Sequence, residues 1–221
     1  EWCDQPPSPA EYTRLLCLAY QAIKAVDPNA FIITAGLAPT TRNDNVAMPD
    51  VNFAQGMYTA GAAKCFDFLG VNAAGYKAAP EADPGDVAKD AALTNNDPSA
   101  VDAKRIYAFR HVEDVRAIML KNGDAQHQIA ILEYGWTLDN RPGSPYAWHA
   151  VKNEDTQADY FIRAINFARA NWKPWLGILS GIYISNPFWT PENEEYWWAV
   201  TLPDGTPREA FKRIWLMNNP R

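Results

Sequence analysis

The segment IAILEYGWT, residues 129–137, joins an apolar run directly to a carboxylate. Four apolar residues, 129–132, are followed by Glu133, and an aromatic residue, a glycine and Trp136 come next. A short, uninterrupted apolar run of this kind is typical of a buried strand. The segment therefore predicts a strand whose carboxyl end carries an acidic side chain beside large aromatic rings.

Similar apolar runs alternate with helical patterns along the whole chain. The predicted strands are 31–37, 66–71, 128–133 and 176–184. The predicted helices begin after Ser8, which forms a capping box with Glu11, and then cover 51–64, 105–122, the segment after Asn153, and 207–217. This alternation predicts a parallel α/β sheet covered by helices on both faces. Both a doubly wound open sheet and a (β/α)8 barrel fit, but the first strand-to-helix turn lacks the G-x-G-x-x-G of dinucleotide-binding folds.

Composition excludes several classes of function. The chain has 221 residues, of which 48% are hydrophobic and 21% charged, and this predicts a folded globular core. A net charge of −6 without a dense Lys/Arg run argues against a nucleic-acid partner. No apolar run is long enough to predict a membrane span. Cys3, Cys17 and Cys65 are odd in number and widely spaced, so we expect buried thiols, with neither a disulfide framework nor a metal site. No cofactor is predicted.

Polar side chains follow three of the predicted strands, at Asn72, Glu133 and Asn186. The carboxyl ends of parallel strands form the active-site face of α/β folds, so we expect these side chains to converge. The neighbouring loops are rich in aromatic residues, including Trp136 and Trp189. Aromatic faces pack against sugar C–H groups, and a carboxylate stabilises positive charge at the anomeric carbon. This pattern suits carbohydrate chemistry, although a solvated glutamate and ordinary packing of the aromatic residues, Trp136 included, fit it too.

Four segments together resemble the clan A glycoside hydrolases, and most closely the β-xylosidase-like and related bacterial glycosidase-like barrels. They are residues 8–40, FDFLGVNAAGY at 66–76, ILEYGWT at 131–137 and TLPDGTPREAFKRI at 201–214. The resemblance implies that 1–221 is a single domain, the C-terminal portion of a TIM (β/α)8 barrel with strands 5–8 and helices 4–8. It implies hydrolysis of O-glycosyl bonds in carbohydrate metabolism, and it slightly favours a secreted or cell-envelope bacterial protein.

The resemblance also implies roles for particular residues. Glu133 would be the nucleophile of a retaining mechanism, about 5–5.5 Å from an acid/base glutamate in an Asn-Glu-Pro motif after strand four. The residues implied in substrate binding are Asn72, Tyr76, Trp136, Asn186 and Trp189.

The chain departs from the family pattern in two places. It contains no Asn-Glu-Pro, and Asn72-Ala73-Ala74 stands where such families often have His-Pro-Tyr. We therefore expect the chain alone to be inactive, and a non-catalytic glycan-binding barrel and a structural domain remain alternatives. Four strands cannot close a barrel, so the open sheet edges predict either a missing N-terminal half-barrel or self-association.

Overall fold

A computed structural model of the protein describes residues 5–218, so Cys3 lies outside the described residues. The strands are β1 (Phe68–Ala74), β2 (Gln128–Gly135) and β3 (Leu176–Gly181). The helices are α1 (Pro9–Val26), α2 (Asp50–Thr59), α3 (Pro84–Lys89), α4 (Val112–Lys121), α5 (Glu154–Asn171), α6 (Glu194–Trp198) and α7 (Glu209–Asn218).

The strands form a parallel sheet in the order β1-β2-β3. The predicted strand 31–37 joins β1 through two isolated parallel bridges, Ile33 with Phe68 and Leu37 with Val71, instead of a continuous ladder. The parallel α/β class and the chain-order neighbours are therefore confirmed. A closed barrel is not formed by the described residues, and the barrel stays a prediction.

Local capping explains where two helices begin. The Ser8 side chain accepts a hydrogen bond from the Glu11 amide at the start of α1 (3.3 Å). Asn153 accepts one from the Thr156 amide at the start of α5 (2.9 Å). These contacts satisfy backbone donors that a helix leaves unpaired at its start, and both predicted starts are confirmed.

Other elements differ from the sequence predictions. The predicted helix 105–122 is α-helical only from Val112, and the residues before Val112 form 3₁₀ turns. Residues 76–104, for which no helix was predicted, contain α3, which Asp83 caps through the Gly85 and Asp86 amides. The short helix α6 was not predicted at all. These two helices have only six and five residues, so neither produces a long apolar period in the sequence.

The chain divides into two compact units. Unit 1 comprises the described part of Glu1–Ala73, His111–Leu132 and Pro174–Leu179, and unit 2 comprises Ala74–Arg110, Glu133–Lys173 and the described part of Ser180–Arg221. Fully buried side chains in unit 1 include Met57, Leu69, Met119, Ile129 and Ile131. Those in unit 2 include Phe109, Trp136, Phe161 and Trp172. Each unit therefore has an apolar core of its own.

Two of the three cysteines form a disulfide. Cys17 of α1 and Cys65, just before β1, have their Cα atoms 4.8 Å apart, which lies within the range that a disulfide spans. The prediction of unbridged thiols is wrong for this pair. The spacing of 48 residues carries no information about the meeting of the two segments, which tertiary packing decides.

The described residues contain neither a membrane-spanning helix nor a clustered metal site. None of the helices in residues 5–218 is long and apolar enough to cross a membrane. Over the same range, no group of three or more His, Cys, Asp and Glu side chains is arranged to hold a metal ion.

Candidate functional site

Glu133 lies two residues before the end of β2 and belongs to unit 2. Glu133 is half-buried, whereas Ile131 and Tyr134 on either side of it along the strand are buried. The Ile182 amide donates a hydrogen bond to the Tyr134 carbonyl (3.0 Å), so the segment after β3 runs beside the end of β2. This pairing brings the next residue, Tyr183, close to Glu133.

The negative charge of Glu133 acts on the pKa of Tyr183. This pKa is raised to about 12, first by burial and then by the negative charges of Glu133, Glu194 and Glu195. The Tyr183 hydroxyl therefore stays protonated near neutral pH, close enough to Glu133, Glu194 and Glu195 to be influenced by their charges. The Tyr183 ring also lies edge-on to Trp189, with 5.6 Å between the ring centroids. We call Glu133, Tyr183 and Trp189 the Glu133 site.

Helix α6 places further carboxylates beside this site. The Trp198 indole N–H donates to Glu194 Oε1 (3.1 Å), which fixes the Glu194 side chain. The Tyr146 hydroxyl donates to Glu194 as well, and this bond, burial and nearby carboxylates raise the pKa of Tyr146 to about 12. Loop 137–152 is thus attached to α6 by a phenol–carboxylate hydrogen bond.

An ion pair between the half-buried Arg141 and the buried Asp139 holds the first part of the same loop. Asp139 is fully buried and accepts two hydrogen bonds from the Arg141 guanidinium (2.7 and 2.8 Å) and one from the Ser144 hydroxyl (2.8 Å). The Arg141 bond, the largest influence, lowers the pKa of Asp139. Since two-point Arg–carboxylate pairs are strong and directional, this loop has a defined conformation.

Tyr76 lies in an aromatic cluster of unit 2. Its backbone has a φ of 46°, in the left-handed region that non-glycine residues rarely adopt. The ring stacks on Trp148 (6.0 Å) and lies 5.0 Å from Tyr107 and 5.2 Å from His149. Burial lowers the pKa of His149 to about 4, so this imidazole is neutral at physiological pH. A backbone of this kind at a half-buried ring is compatible with a binding role for Tyr76.

Trp136 belongs to the core of unit 2 and not to an open cleft. Its side chain is fully buried, and its indole N–H donates to the Ala78 carbonyl (3.1 Å). Gly75 packs so closely against the indole that a Cβ there would collide with the ring. We therefore correct the expectation of a substrate-binding Trp136, because no face of this ring is exposed to a ligand. The alternative interpretation, in which Trp136 is an ordinary packing residue, fits its position.

The other two expected residues differ in setting. Asn186 is exposed and forms a turn, in which its side chain accepts from the Phe188 amide (2.9 Å) and its carbonyl from the Trp189 amide (3.1 Å). Asn186 therefore positions Trp189. Asn72 belongs to unit 1, where its amide donates to the Leu37 carbonyl (2.9 Å). The convergence of Asn72 with Glu133 stays a prediction.

The sequence analysis did not identify Tyr183 of the Glu133 site, nor Tyr146, Glu194 and Glu195 beside it. Tyr183 was overlooked because the predicted strand 176–184 was taken past it, whereas β3 ends at Gly181. A shorter strand would have placed Tyr183 at the strand end, the position that drew attention to Glu133. Residues 194–195 open α6, which has too few residues to show a helical period.

Comparisons with known proteins identify the fold. No family model and no curated protein matches the chain. A glucosidase from Croceicoccus marinus, known from its crystal structure, is similar with a TM-score of 0.60 and 15% identity, over 96% of this chain and 36% of that chain. A family 39 glycoside hydrolase from the gut symbiont Bacteroides cellulosilyticus gives 0.54 and 13%, over 91% of this chain and 36% of that one.

The chain therefore has a glycosidase-like fold, and it spans 36% of the length of each of these two structures.

Proposed function

We propose that the chain is the nucleophile-bearing part of a retaining glycoside hydrolase, a clan A enzyme in which Glu133 attacks the sugar. The observation that carries this proposal is the position of Glu133 near the carboxyl end of β2, beside Tyr183 and Trp189, in a glycosidase-like fold. Parallel α/β barrels hold their catalytic residues at this end of the strands.

The three side chains suit the steps of a retaining mechanism. The Glu133 carboxylate would attack the anomeric carbon to form a glycosyl-enzyme, which water then hydrolyses. Tyr183 keeps its proton near neutral pH and can donate a hydrogen bond to the carboxylate or to the sugar. Trp189 offers an aromatic ring to the apolar face of a sugar. The acid/base glutamate would come from an Asn-Glu-Pro motif outside this sequence, so we expect the chain alone to bind sugar but not to cleave natural glycosides.

A substrate that needs no general acid tests the nucleophile in this chain alone. In a 2,4-dinitrophenyl 2-deoxy-2-fluoroglycoside, the dinitrophenolate leaves without a proton while a carboxylate oxygen bonds to the anomeric carbon. We expect one equivalent of dinitrophenolate and a glycosyl group on Glu133, located by mass spectrometry of peptides. Gluco- and xylo-configured reagents would both be used.

Two variants sharpen this trapping experiment. E133Q should release no dinitrophenolate, whereas E192Q should react like the parent, because Glu192 is exposed and its carboxylate pairs with Arg141 (3.6 Å). Labelling of a different carboxylate would refute the role of Glu133.

The second candidate function is glycan binding without cleavage. It is favoured by Asn72-Ala73-Ala74, which lacks the aromatic residue found after strand six in the resembled families. The same trapping experiment separates the two functions. A chain that binds oligosaccharides but is never labelled by the fluoroglycoside would be a binding module.

A further inference from the structure

We propose that Glu194 and Glu195 determine the charge selectivity of the Glu133 site, favouring sugars with a protonated amino group and disfavouring uronic acids. This inference rests on the proposed carbohydrate site at Glu133 and concerns which sugars that site accepts. It assigns a specificity role to two side chains of α6, and chemistry at the anomeric carbon is left to Glu133.

The fold brings α6 next to the Glu133 site. The Val200 amide, two residues after α6, donates to the Tyr183 carbonyl (2.8 Å), so the chain that leaves α6 is fixed to the residue beside Glu133. Glu194 is held in place by the Trp198 indole (3.1 Å) and by the Tyr146 hydroxyl. A carboxylate restrained in this way keeps its charge at a fixed place beside the sugar site.

The charges that act on the two tyrosines all have the same sign. Those acting on the Tyr183 hydroxyl come from Glu133, Glu194 and Glu195, and each of them opposes ionisation. Those acting on Tyr146 come from Glu194, Glu195 and Asp139. The site therefore has a negative electrostatic potential, which attracts cations and repels anions.

Three nearby bases do not offset this potential. Arg208, which donates to the Tyr196 carbonyl of α6 (3.3 Å), is paired with Glu154 (2.9 Å). Arg141 is committed to the buried Asp139 through two hydrogen bonds, so its charge is compensated locally. His149 is neutral at physiological pH, because burial lowers its pKa to about 4.

His149 also has a buried ring nitrogen without a hydrogen-bond partner in the part of the chain that the structure describes. His149 is 4% exposed, and the nitrogen in question is Nδ1. Its ring lies 6.0 Å from Tyr146 and 5.8 Å from Trp198, the two side chains that bind Glu194. A buried polar atom without a partner is costly unless something binds it, so Nδ1 marks an unsatisfied polar position next to the two side chains that hold Glu194.

Three oligosaccharides with one β-1,4-linked backbone test the selectivity. They are tetramers of glucosamine, glucose and glucuronic acid, and each is titrated calorimetrically into the 221-residue chain. At about pH 5.5 the carboxylates of the glucuronic acid tetramer are ionised, and the glucosamine amines are mostly protonated. The titrations are repeated at about 20 mM and about 500 mM salt, because screening weakens interactions between exposed charges.

We expect affinity to fall from glucosamine to glucose to glucuronic acid, by about tenfold at each step in low salt, with smaller steps in high salt. The double variant E194Q/E195Q should bring the three affinities within about threefold of one another, since glutamine keeps the hydrogen-bond acceptor and removes the charge. E192Q removes the same charge from a neighbouring exposed position and should leave the steps unchanged.

The possible failures are distinct. Equal binding of the glucose and glucuronic acid tetramers, or steps that persist in E194Q/E195Q, would overturn the selectivity inference while leaving the carbohydrate site intact. If none of the three tetramers binds, the proposed carbohydrate site fails, and the selectivity inference fails with it.

Discussion

His111 of unit 1 is held between two carboxylates in a buried position. Its Nδ1 lies 2.9 Å from Asp114 and its Nε2 lies 3.0 Å from Asp50. Burial alone would lower the pKa of His111, but the hydrogen bonds and charges of both carboxylates outweigh it and raise this pKa to about 9. The imidazolium therefore links Asp50, the first residue of α2, to the start of α4 at neutral pH.

This arrangement predicts a pH-dependent stability. The unfolded-state pKa of histidine is about 6.5, so the contribution of His111 should be complete below about pH 6.5 and lost as the pH rises through about 9. The loss should amount to about 3 kcal/mol in the free energy of unfolding. Urea titrations at about pH 6 and about pH 9.5 should show this fall in the parent protein and a smaller fall in H111Q. Equal falls in the two proteins would refute the protonated link.

Glu133 and Trp136 show which side-chain positions can be predicted from the sequence and which cannot. The apolar run before Glu133 is local, so the position of this acid near a strand end could be predicted. The position of Trp136 depends on Gly75, which leaves room for the indole, and on Ala78, whose carbonyl accepts its N–H. Both partners lie about 60 residues earlier in the chain, and no local pattern records such contacts.

At the scale of elements, α1 is attached by little apolar burial. Thr13 and Leu16 are its buried residues, whereas Leu15 and Leu18 are 58% and 55% exposed. The existence of this helix was predicted correctly, but only part of its apolar surface is covered. Because few side chains of α1 are buried, we infer that the Cys17–Cys65 disulfide contributes substantially to holding this helix in place.

Removing this disulfide should destabilise the chain. The bridge closes a loop of 48 residues, for which the chain-entropy relation gives about 4 kcal/mol at 25 °C. We expect the double variant C17A/C65A to lower the free energy of unfolding in urea by this order. A reducing agent should lower it similarly in the parent protein and should have no effect on the double variant. If the parent protein were insensitive to reduction, the bridge would not form in solution.

The disulfide also bears on where the protein works. Disulfides persist in oxidising compartments such as the periplasm and the cell exterior. The pair is thus consistent with the secreted or cell-envelope location that the resemblance favours, and that location stays a prediction.

The segment 31–37 marks a limit of prediction at the scale of elements. Its apolar composition indicated a strand, and its place next to β1 is as expected. It pairs with β1 in two isolated bridges, at Ile33 and Leu37, instead of a continuous ladder. The backbone geometry that a continuous ladder requires is not specified by composition. Period and capping thus predicted the alternation of the longer helices with the strands, but they did not predict α3, α6 or the regularity of pairing at the sheet edge.

At the scale of the whole molecule, the sheet ends at β3. Interior strands of parallel sheets are usually buried on both faces, but β3 is half-buried or exposed at each of its six residues. In the described part of the chain, β2 is its one strand neighbour. Such an edge presents unpaired backbone groups and apolar side chains, here including Ile178, to another strand.

We therefore predict that the chain self-associates through β3 when no other polypeptide covers this edge. Pairing there would satisfy backbone groups and bury the 36% of Ile178 that is exposed, which contributes about 0.5–1 kcal/mol. Sedimentation velocity from about 1 to about 100 μM, a range typical of weak dimers, should show a rise in mean mass. I178K should weaken association by at least about tenfold, because it places a charge on the edge.

V101K is a matched control, since Val101 is an exposed apolar residue outside the sheet, and it should associate like the parent. A parent protein that stays monomeric over the whole concentration range would show that the backbone groups of β3 are satisfied without a partner. Association that is equally strong in I178K would instead exclude this edge and direct attention to the exposed apolar residues of α1.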